Sequence, residues 1–384
     1  MKPTADRVMT GTHFVHGDWA CAEGAISAGC GYYAAYPITP ASEIAEHMAQ
    51  RFPALGGKFI QFEDEIGAIA SVIGASFSGL KAMTATSGPG VSLMLENIGL
   101  AVMTEAPCVI VNVMRGGPST GQPTMGAQGD VMQCRWGMHG DVETIALAPQ
   151  SVQEMYDLTV EAFNLSETYR TPVFLLSDAN IGHLYERLTI PREEELATVE
   201  RKRPTVPPSE YLPYRADESL VPPMAVFGEG YRFYSTGLTH DEKGYPDMSV
   251  ETQDKLVRRL CDKIRRNTDK ITKTEALMTD DCDVLVVAYG ITARSAATAV
   301  KQARDSGLKA GLLRLVSLWP FPDRLIEETV EDAEAVIVAE MNYGQLVREV
   351  ERAVKPKPVH FLPKLGENPH TPDEILEAIR RADS

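Results

Sequence analysis

The chain has 384 residues, 44% of them hydrophobic and 23% charged, a balance that fits a globular protein of two or three domains. A net charge of −16 excludes a nucleic-acid binder, because nothing would neutralise phosphates, and the apolar runs are too short and interrupted for a transmembrane helix. The start, Met1-Lys2-Pro3-Thr4-Ala5-Asp6-Arg7, lacks an apolar signal core, so the cytoplasm is the expected compartment.

From Asp18 to about Asp178, strand and helix patterns alternate. Strands are predicted at 30–36, 58–62, 81–85, 108–114, 143–148 and 172–177. Helices are predicted at 40–52, 65–79, 91–104 and 152–169. Near-continuous apolar strands separated by helices mean an α/β fold with a doubly wound parallel sheet. From about 191 to 278 repeated prolines break regular structure, apart from one charged helix at 251–267. This stretch reads as an extended arm, crossing the surface or a subunit boundary, whose aromatic residues Tyr211, Tyr214, Phe227, Tyr231, Phe233 and Tyr234 pack on something. Alternation returns in a smaller α/β domain, with strands at 284–289, 310–316, 335–340 and 358–362 and helices at 292–306 and 344–353. The expected domains are therefore 1–190, 191–278 and 279–384.

Four motifs follow predicted strands of the first domain: Tyr36-Pro37-Ile38-Thr39-Pro40, Glu63-Asp64-Glu65, Ser87-Gly88-Pro89-Gly90 and Arg115-Gly116-Gly117-Pro118-Ser119-Thr120-Gly121. Loops that follow parallel strands emerge at one sheet edge, where ligands bind, so the four are expected to converge. Thr39 is an N-cap candidate with Pro40 at the first helical position, and its hydroxyl also suits an anion. The acidic triplet suits a helix start. The apolar residues after it would raise a carboxyl pKa and the helix dipole would lower it, leaving the sign open. The Ser-Gly-Pro-Gly turn lacks phosphate-loop spacing and instead permits close backbone approach. Arg115, ending a buried strand at the ligand edge, reads as a carboxylate clamp. His139 is either a turn residue or a substrate contact. None of the six cysteines has zinc or iron–sulfur spacing, so this chain is expected to carry no metal or cluster of its own.

The runs YPITPASEIAE, EDEIGAIASVIGAS, TATSGPGVSLMLENIG and RGGPSTGQPT together resemble the α subunits of 2-oxoacid:ferredoxin oxidoreductases, most closely those acting on 2-oxoglutarate. The resemblance covers essentially the whole chain. It implies a thiamine-diphosphate enzyme with the pyrimidine-binding domain and a transketolase C-terminal-like domain in this chain. A β subunit would carry the diphosphate-binding domain, Mg²⁺ and a [4Fe-4S] cluster, coenzyme A would be co-substrate, and the assembly would be a dimer of αβ heterodimers. Further γ or δ subunits, if needed, would be other chains, and ferredoxin, an acidic carrier, would dock on the partner. By the same resemblance Glu65 is the cofactor-activating carboxylate, with Ile38, Ser87, Gly88 and Gly90 also at the cofactor. Thr39 and Arg115 would hold the 2-oxoacid, and Ser119, His139 and Arg135 are candidates for its distal carboxylate. Pyruvate or a branched 2-oxoacid is the alternative substrate, and a non-catalytic scaffold subunit is the alternative of another class.

Overall fold

The computed structural model describes residues 7–366 and 368–383, so the leader reading made on Met1–Asp6 lies outside them. The chain opens with β1 (Gly11–His16), α1 (Gly17–Ala28), β2 (Cys30–Ala35), α2 (Ser42–Leu55), β3 (Lys58–Gln61), α3 (Glu65–Phe77), β4 (Lys81–Thr86), α4 (Gly88–Met103) and β5 (Cys108–Gly116). It continues with β6 (Gln122–Gly126), α5 (Val131–Trp136), β7 (Ile145–Leu147), α6 (Val152–Tyr169), β8 (Pro172–Asp178), α7 (Ala179–His183) and β9 (Tyr185–Ile190). After the arm come α8 (Val250–Arg265), α9 (Thr268–Ile271), β10 (Thr274–Leu277), β11 (Val284–Ala288), α10 (Gly290–Asp305), β12 (Ala310–Leu315) and β13 (Ser317–Trp319). The last elements are α11 (Asp323–Thr329), β14 (Ala335–Glu340), α12 (Val347–Ala353), β15 (Val359–Pro363) and α13 (Pro372–Ala382).

The main sheet runs β13-β7-β8-β5-β4-β2-β3, with β6 folded back on β5. Its strands are parallel except for β13 and β6. β4, β7 and β8 are buried throughout, as a sheet covered on both faces requires. Helices α1, α2 and α6 pack in the apolar cluster on one face, and α3 and α4 in the cluster on the other. The chain passes from β2 outward to β3 and then returns to β4 on β2's opposite side, so the loops leaving β2 and β4 diverge. That switch point opens a crevice, the usual ligand position of such sheets.

The second sheet, β10-β12-β11-β14-β15, is parallel except at β10. The α3–α4 cluster runs without a break into Leu285, Val287, Leu313 and Val336 of this sheet, so the two units share a core. β13 leaves the second unit to pair antiparallel with β7 at the edge of the first, and the Trp319 indole N–H donates to the Val131 carbonyl at 3.0 Å.

The arm packs back on its own chain. The Arg201 guanidinium donates to both carboxylate oxygens of Glu167 at 2.8 Å and to the Ser76 carbonyl at 2.6 Å. Phe227 stacks on Phe77 of α3 and on Phe233, which meets Phe77 at a tilt. α8 is held by Glu105, whose carboxylate accepts from Arg259 at 2.7 and 2.9 Å and from Lys263 at 2.8 Å, all with little or no exposure. No helix among the described residues is long and apolar enough to cross a membrane.

Thr39 does not cap α2. The helix begins at Ser42 behind Ala41, no side chain caps it, and the Ala41 N–H instead closes a turn on the Ile38 carbonyl at 2.9 Å. The cap at the acidic triplet is Asp64, which accepts from the Gly67 N–H at 2.7 Å. This leaves the Glu65 side chain free for other work.

Candidate active site at the sheet switch point

Glu65 is the first residue of α3 and only 4% exposed. Burial pushes its carboxyl above the usual value, Asp64 adds to the rise, and its own backbone N–H opposes it. Desolvation therefore wins over the helix start, which decides the sign that the sequence left open. Gly90, in the first turn of α4, closes over this carboxylate. A Cβ there would stand 2.6 Å from Glu65 Oε1 and 2.0 Å from Thr86 Oγ1. Gly88 makes a similar approach to Asp130, with a Cβ position 2.7 Å from Oδ2. Ser87, directly before Gly88, is fully buried and its hydroxyl has no protein partner.

Arg115 is 8% exposed near the end of β5, and its Nη1 donates to the Thr39 carbonyl at 2.6 Å. The structure thus joins Arg115 to the Thr39 loop, through the backbone of Thr39 rather than its hydroxyl. The buried Arg115 Nε has no protein partner. Beside it, Asn112 donates to Asp130 Oδ2 at 3.1 Å. Burial raises the Asp130 carboxyl, against the pull of Asn112 and Arg115. Ser119 sits in the turn between β5 and β6 in the left-handed region, φ 61°, and is exposed.

Arg115, Ser119, Gly88 and Asp130 line a cavity of about 690 Å³, whose other wall is Met341, Asn342, Tyr343 and Gln345 from the second unit. Glu65 and Thr39 are not in that lining. They connect to it through Gly90 and through the Arg115–Thr39 bond. Gln128 fixes the two walls together. Its amide accepts from the Met341 N–H at 3.0 Å and donates to the Tyr289 carbonyl at 3.0 Å. Glu340, fully buried, anchors the far wall by accepting from Tyr289, Asn342 and the N–H groups of Leu346 and Val347.

Two of the candidates for the distal carboxylate also fall outside the cavity lining. His139 is exposed and packs against Gly99. Gly99 is eleven residues beyond Gly88 on α4, roughly 16 Å along the helix at 1.5 Å per residue. Arg135 is occupied, donating to Glu143 Oε2 at 2.9 Å and to the Val142 carbonyl at 2.6 Å while stacking on Trp136. Neither is placed to meet a carboxylate in the cavity. Residues the sequence reading passed over are Asn112, Gln128, Asp130, Asn342 and Gln345. Only Asn112 gave a signal, as a polar break in the apolar run CVIVNVM.

The arrangement fits an aminopyrimidine ring: a buried carboxylate with a raised pKa, glycines that let α4 close on that carboxylate and on Asp130, and an unpartnered hydroxyl beside them. Because both neighbours of the Gly90 Cβ position are buried, Gly90→Ala is expected to cost about 1–3 kcal/mol of stability through overpacking. Urea unfolding measures this, and a midpoint equal to wild type would mean that Glu65 and Thr86 yield without strain.

Residues 23–259 match the family described as pyruvate flavodoxin/ferredoxin oxidoreductase, thiamine diphosphate-binding, and residues 282–375 match pyruvate:ferredoxin oxidoreductase core domain II. The chain is 55% identical over 373 residues to the 2-oxoglutarate synthase subunit KorA of Methanothermobacter marburgensis, covering 97% of this chain and 99% of that one. It is 37% identical to the ketoisovalerate oxidoreductase subunit VorB of Methanothermobacter thermautotrophicus, covering 96% and 97%. Among solved structures, the 2-oxoglutarate:ferredoxin oxidoreductase from Magnetococcus marinus, with 2-oxoglutarate, coenzyme A and succinyl-CoA bound, superposes with a TM-score of 0.93 at 34% identity, covering 98% of this chain and 66% of that one. Likeness of this extent, running through both sheets and the crevice between β2 and β4, means that the chain belongs to the thiamine-diphosphate-binding family of 2-oxoacid:ferredoxin oxidoreductases.

Proposed function

We infer that this chain is the α subunit of a 2-oxoglutarate:ferredoxin oxidoreductase, which converts 2-oxoglutarate, coenzyme A and oxidised ferredoxin to succinyl-CoA, CO₂ and reduced ferredoxin, or runs the reverse. The observation that carries the reading is the crevice itself. Buried Glu65 lies under Gly90, and Arg115 is bonded across to the Thr39 loop, in a chain 55% identical to a 2-oxoglutarate synthase subunit. The ketoisovalerate relative stands at 37%, so a branched 2-oxoacid is the second reading and pyruvate the third.

Glu65, Ile38, Ser87, Gly88 and Gly90 would hold the aminopyrimidine half of thiamine diphosphate. When bound, that cofactor supplies the electron sink that makes loss of CO₂ from a 2-oxoacid possible. Glu65, a carboxylate of raised proton affinity, would accept and hold a proton beside the bound ring. Gly90, with Thr86 beside it, closes over that carboxylate. Arg115 offers a guanidinium to the 2-oxoacid carboxylate, Thr39 holds Arg115 in place, and Ser119 on the neighbouring turn offers a hydroxyl. In this reading a β subunit brings the diphosphate-binding half, Mg²⁺ and the [4Fe-4S] cluster, and two αβ pairs assemble. A chain of net charge −16 leaves the docking of an acidic ferredoxin to that partner.

The test is coenzyme A-dependent ferredoxin reduction by the chain co-purified with its partner, with 2-oxoglutarate, pyruvate and 2-oxoisovalerate compared. Preference for either of the other two overturns the substrate. In the same assay Arg115→Lys is expected to raise KM for the 2-oxoacid. Lys keeps the charge and loses the planar fork. One charge-assisted hydrogen bond, roughly 1.5–3 kcal/mol, corresponds to about a tenfold to hundredfold loss in kcat/KM. Ordinary KM together with weakened assembly would make Arg115 a structural residue.

A further inference from the structure

On the other face of the same sheet edge, three side chains from three elements converge: Asp18 from the first turn of α1, Glu43 from the first turn of α2 and His183 from the end of α7. His183 Nε2 lies 3.5 Å from Glu43 Oε1 and 4.0 Å from Asp18 Oδ2, and one ligand atom from each residue falls within 4.8 Å of the others. Glu43 and His183 are about two-fifths exposed, with side-chain accessibilities of 39% and 41%, so the cluster is open on one side.

Asp18 is the unusual member. It is fully buried, and neither carboxylate oxygen has a hydrogen-bond partner in the protein. A buried carboxylate without partners is costly. Burial pushes its pKa well above the usual value and Glu43 pushes it further. At the observed 4.0 Å from His183 Nε2, neither the carboxylate nor its protonated form makes a hydrogen bond. The surrounding backbone offers nothing, and it crowds in: a Cβ on Gly182 would stand 2.8 Å from Asp18 Oδ1. His16, two residues earlier, already accepts the Trp19 N–H at 3.3 Å on Nδ1. The Asp18 carboxylate thus faces a histidine and a second carboxylate, with no protein donor to satisfy it.

We propose that Asp18, Glu43 and His183 form a divalent-cation site, separate from the cofactor crevice, that clasps α1, α2 and α7 together. One imidazole and two carboxylates are the donor set of a borderline first-row cation, Zn²⁺ or Mn²⁺, rather than of Ca²⁺ or Mg²⁺, which prefer oxygen ligands alone. Tetrahedral Zn²⁺ with bonds of about 2.0 Å holds its ligand atoms roughly 3.3 Å apart. The His183–Glu43 pair already stands near that separation, and the other two need small rotations of exposed side chains only. The remaining coordination position would face the exposed side, open to solvent. The clasp bears on the substrate wall, because Asn180 of α7 packs on Gly126, and Gly126 is the strand partner of Arg115.

The proposal does not depend on the enzymatic assignment, and its test uses no cofactor or substrate. The full chain, tag removed and stripped with a chelator, is titrated with Zn²⁺ alone and its metal content measured after gel filtration. Close to one zinc per chain is expected for wild type, with at least tenfold weaker retention in Asp18→Asn and in His183→Gln. His183 is an exposed side chain, so its variant keeps the test decisive even where Asp18→Asn misfolds. No zinc retained by wild type would leave a buried solvent molecule as the partner of Asp18 and overturns the site. Equal retention by wild type and His183→Gln places the metal elsewhere and overturns it too.

Discussion

Glu65→Gln is expected to lower turnover of the assembled enzyme by about 10²–10⁴-fold, the range general acid–base groups contribute. The amide keeps the shape and removes the site that holds a proton. Exchange of the thiazolium C2 proton in the loaded enzyme is the direct measurement, and wild-type exchange in the variant would move the role to Glu63. The substitution carries an opposite effect on stability. The folded carboxyl is raised above its ordinary value, so the fold disfavours the ionised form. Below about pH 4.5 the group is neutral in both states and costs nothing, and above that the cost grows until the folded carboxyl ionises. At neutral pH the neutral amide is therefore expected to raise the melting temperature of the cofactor-free chain. A lowered one would mean that Glu65 is a structural residue.

Glu105→Gln should produce the largest loss of stability. Glu105 is the only acid hydrogen-bonded to Arg259 and Lys263 among the described residues, and the variant leaves both cations facing a neutral amide. Breaking such a buried set typically costs about 3–5 kcal/mol. Burial opposes ionisation of Glu105, but Lys263 and Arg259 outweigh it and hold the carboxyl well below the usual range. A depressed carboxyl gives stability that is present above its ordinary pKa and lost as the pH falls through the folded value. The acid limb of the wild-type unfolding profile should thus be steeper than that of the variant. Equal urea midpoints at pH 7 would mean that α8 is held by its apolar residues Leu256, Leu260 and Ile264 instead.

The sequence carried the parts of the fold whose local pattern and tertiary burial agree. α6 and β14 have the bounds read from it, and β2, β4, β5 and β8 differ by one or two residues at an end. What escaped lacks such agreement. α1 is buried almost all round, so it shows no one-sided periodicity. β1 and β9 pair across most of the first domain, and β13 is three residues long in another unit's sheet. α13 was readable, since Thr371-Pro372-Asp373-Glu374 is a capping box, and it was missed. At the site, the Gly90–Glu65 approach and the Arg115–Thr39 bond follow from where parallel strands end. Polar residues near a sheet edge look alike in sequence, so His139 and Arg135 could not be told there from residues that line the cavity. Only packing tells which one salt-bridges Glu143 and which one rests on Gly99.

The exchange of β13 into the first sheet governs how the cavity can open. A hinge between the two units would have to tear β13 from β7, withdraw the Trp319 indole from Val131 and part the Gln128 amide from Met341 and Tyr289 in one step. The two cavity walls are therefore set by one shared frame, and a change in either sheet is felt in the spacing of the residues that face each other across it.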